Sequence, residues 1–211
     1  MQIKQFTFNP FQENTYLLIN DQKECIIIDP GCLFVEEKEK LANYITNNGL
    51  TLKRLIVTHL HLDHSFGIHF ISEKFGVKAE ASQKDEFLLA DMKKQASLFG
   101  LCDDVEGGEL GGYLKEGDII QLGEIELHVR EVPGHSPGGL LYYAPKNGFA
   151  FVGDTIFQGS IGRTDLAGGS YSELIKNIHE KIMLLPPETV LYAGHGPRTT
   201  VDKELESNPY C

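Results

Sequence analysis

The sequence has few cysteines, little positive charge and no long apolar run. Its four cysteines, Cys25, Cys32, Cys102 and Cys211, are scattered and form no Cys-X-X-Cys pair. This excludes a disulfide scaffold and is typical of a reduced, intracellular setting. No run approaches the roughly 18 apolar residues of a membrane span, and the N-terminus lacks the apolar stretch of a secretion signal. We therefore expect a cytoplasmic protein with no membrane partner.

The shortage of positive charge also bears on the binding partners. The 211 residues include 19 Lys and Arg against 30 Asp and Glu, which gives a formal net charge of −11 at pH 7. Such a chain repels phosphate backbones and anionic headgroups, so we expect no nucleic-acid partner. Apolar residues make up 41% of the chain, enough at this length for one substantial core. The composition thus predicts one acidic globular domain over residues 1–211.

Strands followed by helices recur in both halves of the chain. Patterns typical of strands cover residues 3–8, 15–20, 24–28, 52–58, 77–80, 119–122, 125–130, 140–144, 149–152 and 189–193. Helical periodicity covers residues 36–48, 65–75, 82–99 and 170–185. This order predicts two sheets packed together with helices outside them. Residues 100–117 are acidic and rich in glycine and have no periodicity, which predicts a mobile surface loop.

The strongest chemical signal is the sequence His-Leu-His-Leu-Asp-His at residues 59–64, directly after a predicted buried strand. Alternation along the extended part places His59 and His61 on one side while the two leucines pack. Imidazole and carboxylate groups are ligands suited to zinc, iron or manganese. Three histidines and an aspartate in six positions would be hard to desolvate together without a metal ion. The motif therefore predicts a metal site that includes Asp63 and His64.

Three further polar residues occupy turns at the ends of predicted strands. His135 lies in Pro-Gly-His-Ser-Pro-Gly-Gly, Asp154 lies in Val-Gly-Asp-Thr, and His195 lies in Ala-Gly-His-Gly-Pro. Each is a weak signal alone, but the adjacent glycines allow the backbone to approach a buried site closely. Together with the motif they give five histidines and two aspartates, more ligands than one tetrahedral ion needs. The whole set predicts two metal ions.

The order of these residues resembles that of the metallo-β-lactamase superfamily over essentially the whole chain. Closer similarity to the short hydroxyacylglutathione hydrolases, the glyoxalase II-like group, rests on Asn-Thr-Tyr-Leu at 14–17, Asp-Pro-Gly at 29–31, Gly-Arg-Thr-Asp at 162–165, Gly-His-Gly-Pro at 194–197 and Asn-Pro at 208–209. The resemblance implies an α/β (α+β) fold, a four-layer αββα sandwich in one domain, with a two-metal site between the sheets. It assigns one ion to His59, His61 and His135 and the other to Asp63, His64 and His195, with Asp154 as the bridge.

The implied reaction is hydrolysis of a thioester, S-lactoylglutathione or a related acyl-glutathione. The resemblance implies two divalent ions, zinc in the first place with iron or manganese as alternatives, and a hydroxide that bridges them. Asp63 and Asp154 are the implied catalytic carboxylates. Asp29 either holds the second ring nitrogen of a ligand histidine or is a simple turn carboxylate. Arg163 either binds a substrate carboxylate or pairs with Asp165 or Glu173.

Departures from the patterns of related families bear on the alternatives. Metallo-β-lactamases carry a neutral or thiol residue where Asp154 stands, which disfavours antibiotic hydrolysis. Persulfide dioxygenases use one iron at positions that match His59, His135 and Asp154, although they usually carry aspartate where Gly196 stands. That activity, or another metal-dependent hydrolysis such as that of a lactone, is the alternative to thioester hydrolysis. Longer glyoxalase II enzymes add a helical glutathione-binding domain, and we expect none here, because sixteen residues follow His195.

Overall fold

Most strands of the chain pair into two six-stranded sheets in the computed structural model, which describes residues 1–101 and 105–211. The first sheet consists, in spatial order, of β1 (Gln2–Phe8), β2 (Glu13–Ile19), β3 (Glu24–Ile28), β4 (Thr51–Ile56), β5 (Ala79–Ala81) and β6 (Leu110–Tyr113). The pairs β1–β2 and β2–β3 are antiparallel, and the remaining pairs of this sheet are parallel.

The second sheet is built from the later part of the chain. It consists, in spatial order, of β7 (Ile119–Leu122), β8 (Ile125–Glu131), β9 (Leu140–Ala144), β10 (Phe149–Gly153), β13 (Val190–Ala193) and β14 (Thr199–Thr200). Only the β10–β13 pair of these is parallel. Two short strands, β11 (Ile156–Phe157) and β12 (Ser160–Ile161), pair separately with each other.

Helices connect the strands and cover the sheets. The α-helices of the described residues are α1 (Val35–Asn47), α2 (Leu62–Ser65), α3 (Ile68–Phe75), α4 (Glu86–Ala90), α5 (Met92–Leu98), α6 (Tyr171–Asn177) and α7 (Val201–Ser207). A 3-10 turn at Gln83–Asp85 precedes α4, and a π-helical turn at Ile178–Ile182 extends α6. Within the described part of the chain, no helix is long and apolar enough to cross a membrane.

The central strands are buried on both faces because their alternating side chains serve two different cores. Tyr16 and Leu18 of β2 face the second sheet and pack in the core between the sheets. Leu17, between them, faces the other way and packs in a core with Leu41 of α1. On the outer face of the second sheet, a third core contains Leu174 of α6. These layers form the four-layer αββα sandwich, so the predicted fold class is confirmed.

The structure corrects the prediction for residues 100–117. Leu110–Tyr113 is strand β6, which pairs in parallel with β5 at the edge of the first sheet, rather than part of a surface loop. Because glycine has low strand propensity, the sequence with Gly111 and Gly112 shows no pattern typical of a strand here. A Cβ atom on Gly111 would overlap Lys78 Cβ, so close backbone approach explains the glycine. Residues 102–104, including Cys102, lie outside the described residues.

Two predicted helices are interrupted. The helix predicted over 82–99 divides at Asp91 into α4 and α5, after a 3-10 turn in which Ser82 Oγ accepts a hydrogen bond from the Lys84 amide. The helix predicted over 65–75 breaks near Gly67, where a Cβ atom would overlap Cys32 Sγ and lie 2.7 Å from the Pro30 carbonyl oxygen. Tertiary packing therefore overrides the local helical periodicity at Gly67.

Candidate active site

The His-Leu-His-Leu-Asp-His motif follows β4 and runs into α2, with its two leucines as anchors. Leu60 is fully buried in the core that also contains Leu17 of β2. Leu62 is buried in a different apolar cluster, together with Met92 of α5. Because the leucines are held in two separate clusters, the backbone on both sides of His61 is fixed. The two leucines of the motif therefore pack in apolar clusters, as the alternation predicts.

The other three predicted residues come from turns of the second sheet, and all seven residues meet. His135 lies in the turn after β8, Asp154 follows β10 directly, and His195 lies two residues beyond the end of β13. The ring centroids of His59, His61 and His135 are 4.5–4.8 Å apart. We call these three residues the histidine set. Its potential ligand atoms lie within 4.8 Å of one another, close enough to share one ion.

A second group of possible ligands consists of Asp63, His64 and His195, which we call the mixed set. Its potential ligand atoms also lie within 4.8 Å of one another. His195 Nε2 is 3.2 Å from Asp63 Oδ2, and His64 Nε2 is 3.7 Å from the same oxygen. Each set takes residues from both halves of the chain, so the site lies where the two sheets face each other.

Asp154 lies between the two sets. Its Oδ1 is 3.4 Å from His64 Nε2, and its Oδ2 is 3.5 Å from His195 Nε2 and 3.6 Å from His135 Nε2. The Asp154 carboxylate therefore lies near residues of the mixed set through both of its oxygens, and near a residue of the histidine set through Oδ2. This is the position that a bridging ligand of two ions would occupy.

Backbone carbonyl groups fix the orientation of two histidines. His135 Nδ1 donates to the Arg163 carbonyl oxygen at 2.7 Å, and His195 Nδ1 donates to the Phe11 carbonyl oxygen at 3.0 Å. Because a carbonyl oxygen can only accept, the proton of each neutral ring is on Nδ1. Nε2 of each ring therefore faces other residues of the site: His135 Nε2 is 2.8 Å from His61 Nδ1, and His195 Nε2 is 3.2 Å from Asp63 Oδ2. In metal-binding histidines the ring nitrogen opposite such a backbone contact is the ligand atom.

Asp29 orients a third histidine, which decides between the two interpretations of this residue. His64 Nδ1 donates to Asp29 Oδ2 at 3.0 Å. The same carboxylate accepts hydrogen bonds from the Thr58 amide and the Thr58 hydroxyl, at 2.6 and 2.7 Å. Asp29 has a φ of 54°, in the left-handed region, which aspartate tolerates better than most residues. Of the two interpretations, Asp29 is thus the residue that holds the second ring nitrogen of His64.

Asp85 links the two chain segments that carry the histidine set, and no sequence pattern predicted this role. Its buried carboxylate accepts hydrogen bonds from the Ser136 hydroxyl at 2.7 Å, the Gly138 amide at 2.6 Å and the Leu60 amide at 3.3 Å. Leu60 lies between His59 and His61, and Ser136 follows His135. In the sequence, Asp85 resembles an ordinary acidic residue in the first turn of a helix, so no local signal marks it.

Replacing Asp85 with alanine is expected to weaken metal binding about 10- to 100-fold, the usual cost of losing a group that supports ligands. The substitution leaves three buried donors without an acceptor and frees the turn that carries His135. Competition with a chromophoric chelator measures the affinity. Asp118→Ala removes a half-buried carboxylate that accepts a hydrogen bond from the Lys115 amide and belongs to neither set, so it is the matched control. An Asp85→Ala variant with unchanged affinity would contradict this role.

The two sets differ in protonation in the metal-free protein. Burial lowers the pKa of His59 and His61, that of His61 to about 3, so these two rings of the histidine set are neutral. Burial also opposes the charged form of His64 and His195, but the nearby carboxylates of Asp154 and Asp63 outweigh it. They raise the pKa of His64 well above its usual range and that of His195 to about 10.

We expect metal uptake by the metal-free protein to release about two protons near neutral pH, because coordination needs neutral imidazole. The raised pKa of His64 and His195 means that a metal ion must displace a proton from each ring at pH 7. Metal affinity should therefore weaken as the pH falls, by about tenfold per pH unit for each proton displaced.

Calorimetric titration in buffers of different ionisation enthalpy counts the released protons. The control is His69→Gln, because His69 is half exposed and pairs with Glu106 outside both sets. Metal uptake without proton release, with affinity independent of pH between about 6 and 8, would contradict this assignment.

Unpaired buried atoms test whether a metal ion fits. Among the described residues, His59 Nε2, His61 Nε2, His64 Nε2 and Asp154 Oδ1 are buried without a hydrogen-bond partner. Buried polar atoms nearly always have one, so four such atoms in one site need an explanation. Coordination to divalent ions would satisfy His59 Nε2, His64 Nε2 and Asp154 Oδ1, and imidazole with carboxylate is a donor set that suits zinc, iron and manganese. His61 directs its other ring nitrogen, Nδ1, at His135 Nε2, 2.8 Å away. The residues therefore fit a metal centre.

Arg163 has a partner within the chain. Its Nε and Nη2 donate to the two carboxylate oxygens of Asp165, both at 2.7 Å, and the pair is exposed to solvent. The ion pair with Asp165 is thus present in the structure, while Arg163 also lines the cavity over the candidate metal ligands. A contact between Arg163 and a substrate carboxylate stays a prediction.

Comparison with known proteins agrees with this geometry. A family model described as the metallo-beta-lactamase superfamily matches residues 8–195. The chain is 37% identical to the hydroxyacylglutathione hydrolase GloC of Haemophilus influenzae, over all of this chain and 98% of that one. Among solved structures, the B3 metallo-beta-lactamase BLEG-1 superposes with a TM-score of 0.90 at 34% identity, covering 99% of both chains. The di-iron-bound form of TTHA1623 has a TM-score of 0.88 at 32% identity, covering 99% of this chain and all of that one.

The αββα sandwich and the clustered His and Asp residues thus define a metal-dependent hydrolase fold. The chain belongs to the metallo-β-lactamase superfamily.

Proposed function

We propose that this protein is a binuclear metallo-hydrolase that cleaves the thioester bond of S-lactoylglutathione or a related acyl-glutathione. The observation that carries the proposal is the pair of ligand sets that share Asp154. The histidine set would hold one divalent ion and the mixed set a second, with zinc as the proposed metal and iron or manganese as alternatives. The identity to GloC supports the thioester as the bond that is cleaved.

Two divalent ions at this site would supply a nucleophilic oxygen at neutral pH and polarise the carbonyl group of the substrate. The residues of the chain prepare the site for that chemistry. Asp63 Oδ2 is 3.2 Å from His195 Nε2, and in the proposed reaction the Asp63 carboxylate would accept a hydrogen bond from an attacking water and orient it. The leaving thiol has a pKa near 8.5, so it departs as a thiolate without a separate general acid.

Metal analysis combined with a substrate panel tests the proposal. The panel contains S-lactoylglutathione, glutathione persulfide with an oxygen electrode, a lactone and a cephalosporin. We expect thioester hydrolysis to rise with metal content up to two equivalents per chain. If protein that holds one iron consumed oxygen with the persulfide, dioxygenase activity would replace thioester hydrolysis as the function. Faster hydrolysis of the cephalosporin would replace it by a β-lactamase, the activity named for the similar BLEG-1 structure.

A further inference from the structure

A cavity of about 670 Å³ opens over the candidate metal ligands. His61, Asp63, His135, Asp154 and His195 line part of it, so it is continuous with both sets. Its volume lies within the range of roughly 300–1,000 Å³ that is usual for small-molecule sites. A substrate whose reacting carbonyl group reached the metal ligands would therefore place its remaining atoms in this cavity.

One wall of the cavity is apolar although it faces solvent. Phe87 of α4, Leu98 of α5 and the adjacent Phe99 line it and are 43%, 79% and 48% exposed. Phe99 also packs edge-on against Phe11, with ring centroids 5.4 Å apart. Large apolar side chains that are exposed singly are common, but several around one cavity are typical of a binding site.

A second apolar part of the lining belongs to the segment after β10. Phe157, Ile161 and Leu166 form it and are each half-buried. The cavity thus takes apolar lining from two segments of the chain. Its polar lining consists of the candidate metal ligands and of Asp91, Lys94, Gln95, Ser160 and Arg163. An apolar group of a substrate that covered this apolar lining would be removed from water, which favours binding by up to about 25 cal/mol for each Å² covered.

Few cationic groups face the cavity. Lys94 of α5 and Arg163 line it, and the guanidinium of Arg163 is already paired with Asp165. Asp91 also lines the cavity, one helical turn from Lys94, and offsets its positive charge. Such walls offer little to the two carboxylates of a glutathionyl group and more to an apolar group.

We propose that the cavity selects thioesters with a large apolar acyl group, aromatic or medium-chain aliphatic, over the small polar lactoyl group. This inference rests on the proposed thioester hydrolysis and names its substrate class. The acyl group, attached directly to the reacting carbonyl, would lie along Phe87 and Leu98, while the thiol part would extend toward solvent.

A series of N-acetylcysteamine thioesters tests the inference with the metal-loaded protein. The acyl groups are acetyl, lactoyl, butanoyl, hexanoyl, octanoyl and phenylacetyl, and the thiol is the same throughout. We expect kcat/KM to rise with acyl size by up to about fourfold for each buried methylene, and the lactoyl ester to rank with acetyl. A flat or falling series in an enzyme that hydrolyses these esters would overturn the acyl assignment but leave the proposed function standing.

Substitution of the wall identifies where the preference arises. Leu98→Ala should lower the octanoyl-to-acetyl ratio of kcat/KM by about three- to tenfold. Leu184→Ala is the matched control, because Leu184 is 77% exposed and does not line this cavity. The ratio should not change in the control, and an equal change in both variants would overturn the inference.

A second series keeps the acetyl group and lengthens an alkyl thiol. A larger gain in this series than in the acyl series would assign the apolar walls to the leaving thiol and overturn the acyl assignment. Absence of hydrolysis for every thioester at full metal loading would overturn the proposed function and this inference together.

Discussion

Asp154→Ala is expected to lower kcat/KM for the thioester by roughly a thousandfold and to reduce the metal content below two equivalents per chain. The loss of about three orders of magnitude corresponds to several kcal/mol of stabilisation that the metal site supplies. Asp154 is the carboxylate that lies within 3.6 Å of members of both sets, so its removal disconnects them. Occupancy and activity should therefore fall together.

Metal analysis and steady-state kinetics on the same preparation check this expectation. Asp21→Ala is a suitable control, because Asp21 is exposed, pairs with the N-terminal amine and belongs to neither set. An Asp154→Ala variant that retains two equivalents of metal and most of its activity would contradict the bridging assignment.

Gly194→Ala is expected to lower activity about a hundredfold without unfolding the protein. A Cβ atom on Gly194 would overlap Asp154 Oδ1 and come within 2.6 Å of His64 Cε1. The carboxylate would have to move, and a displacement of about 1 Å at reacting groups costs about a hundredfold. The added methyl group in a packed region should also lower the free energy of unfolding by about 1–3 kcal/mol.

Thermal unfolding and metal titration separate these two effects. Gly112→Ala is the matched control, since the nearest atom to a Cβ there would be 3.8 Å away. If Gly194→Ala kept full activity and metal affinity, then Asp154 would not need the position that the structure gives it.

Much of the candidate site was visible in the sequence because its residues stand at the ends of strands. The chain leaves β4 into the motif at residues 59–64, and alternation predicts which side chains pack. His135, Asp154 and His195 follow strands in the same manner, with glycines beside them. Strand ends can be predicted locally, so the residues of the site could be named before the sheets were paired.

Other features depend on contacts between segments that are distant in the sequence. Asp85 accepts hydrogen bonds from residues 25, 51 and 53 positions away, and no local pattern reports such contacts. Strand β6 exists because β5 offers it a partner, although its two glycines disfavour a strand. The apolar walls of the cavity likewise arise from the placement of α4, α5 and the segment after β10. The sequence showed only hydrophobic residues there, with nothing to distinguish a wall from a core.

The division of each ligand set between the two sheets has a consequence for biosynthesis. His59 and His61 leave the ribosome well before His135, and Asp63 and His64 well before His195, the last member of all. Neither set is complete in a nascent chain that lacks its second half. If the sets bind metal as proposed, the choice between zinc, iron and manganese is made by a finished sandwich with fixed ligand positions. Metal would then bind only after both halves of the chain have been synthesised and their sheets have packed together.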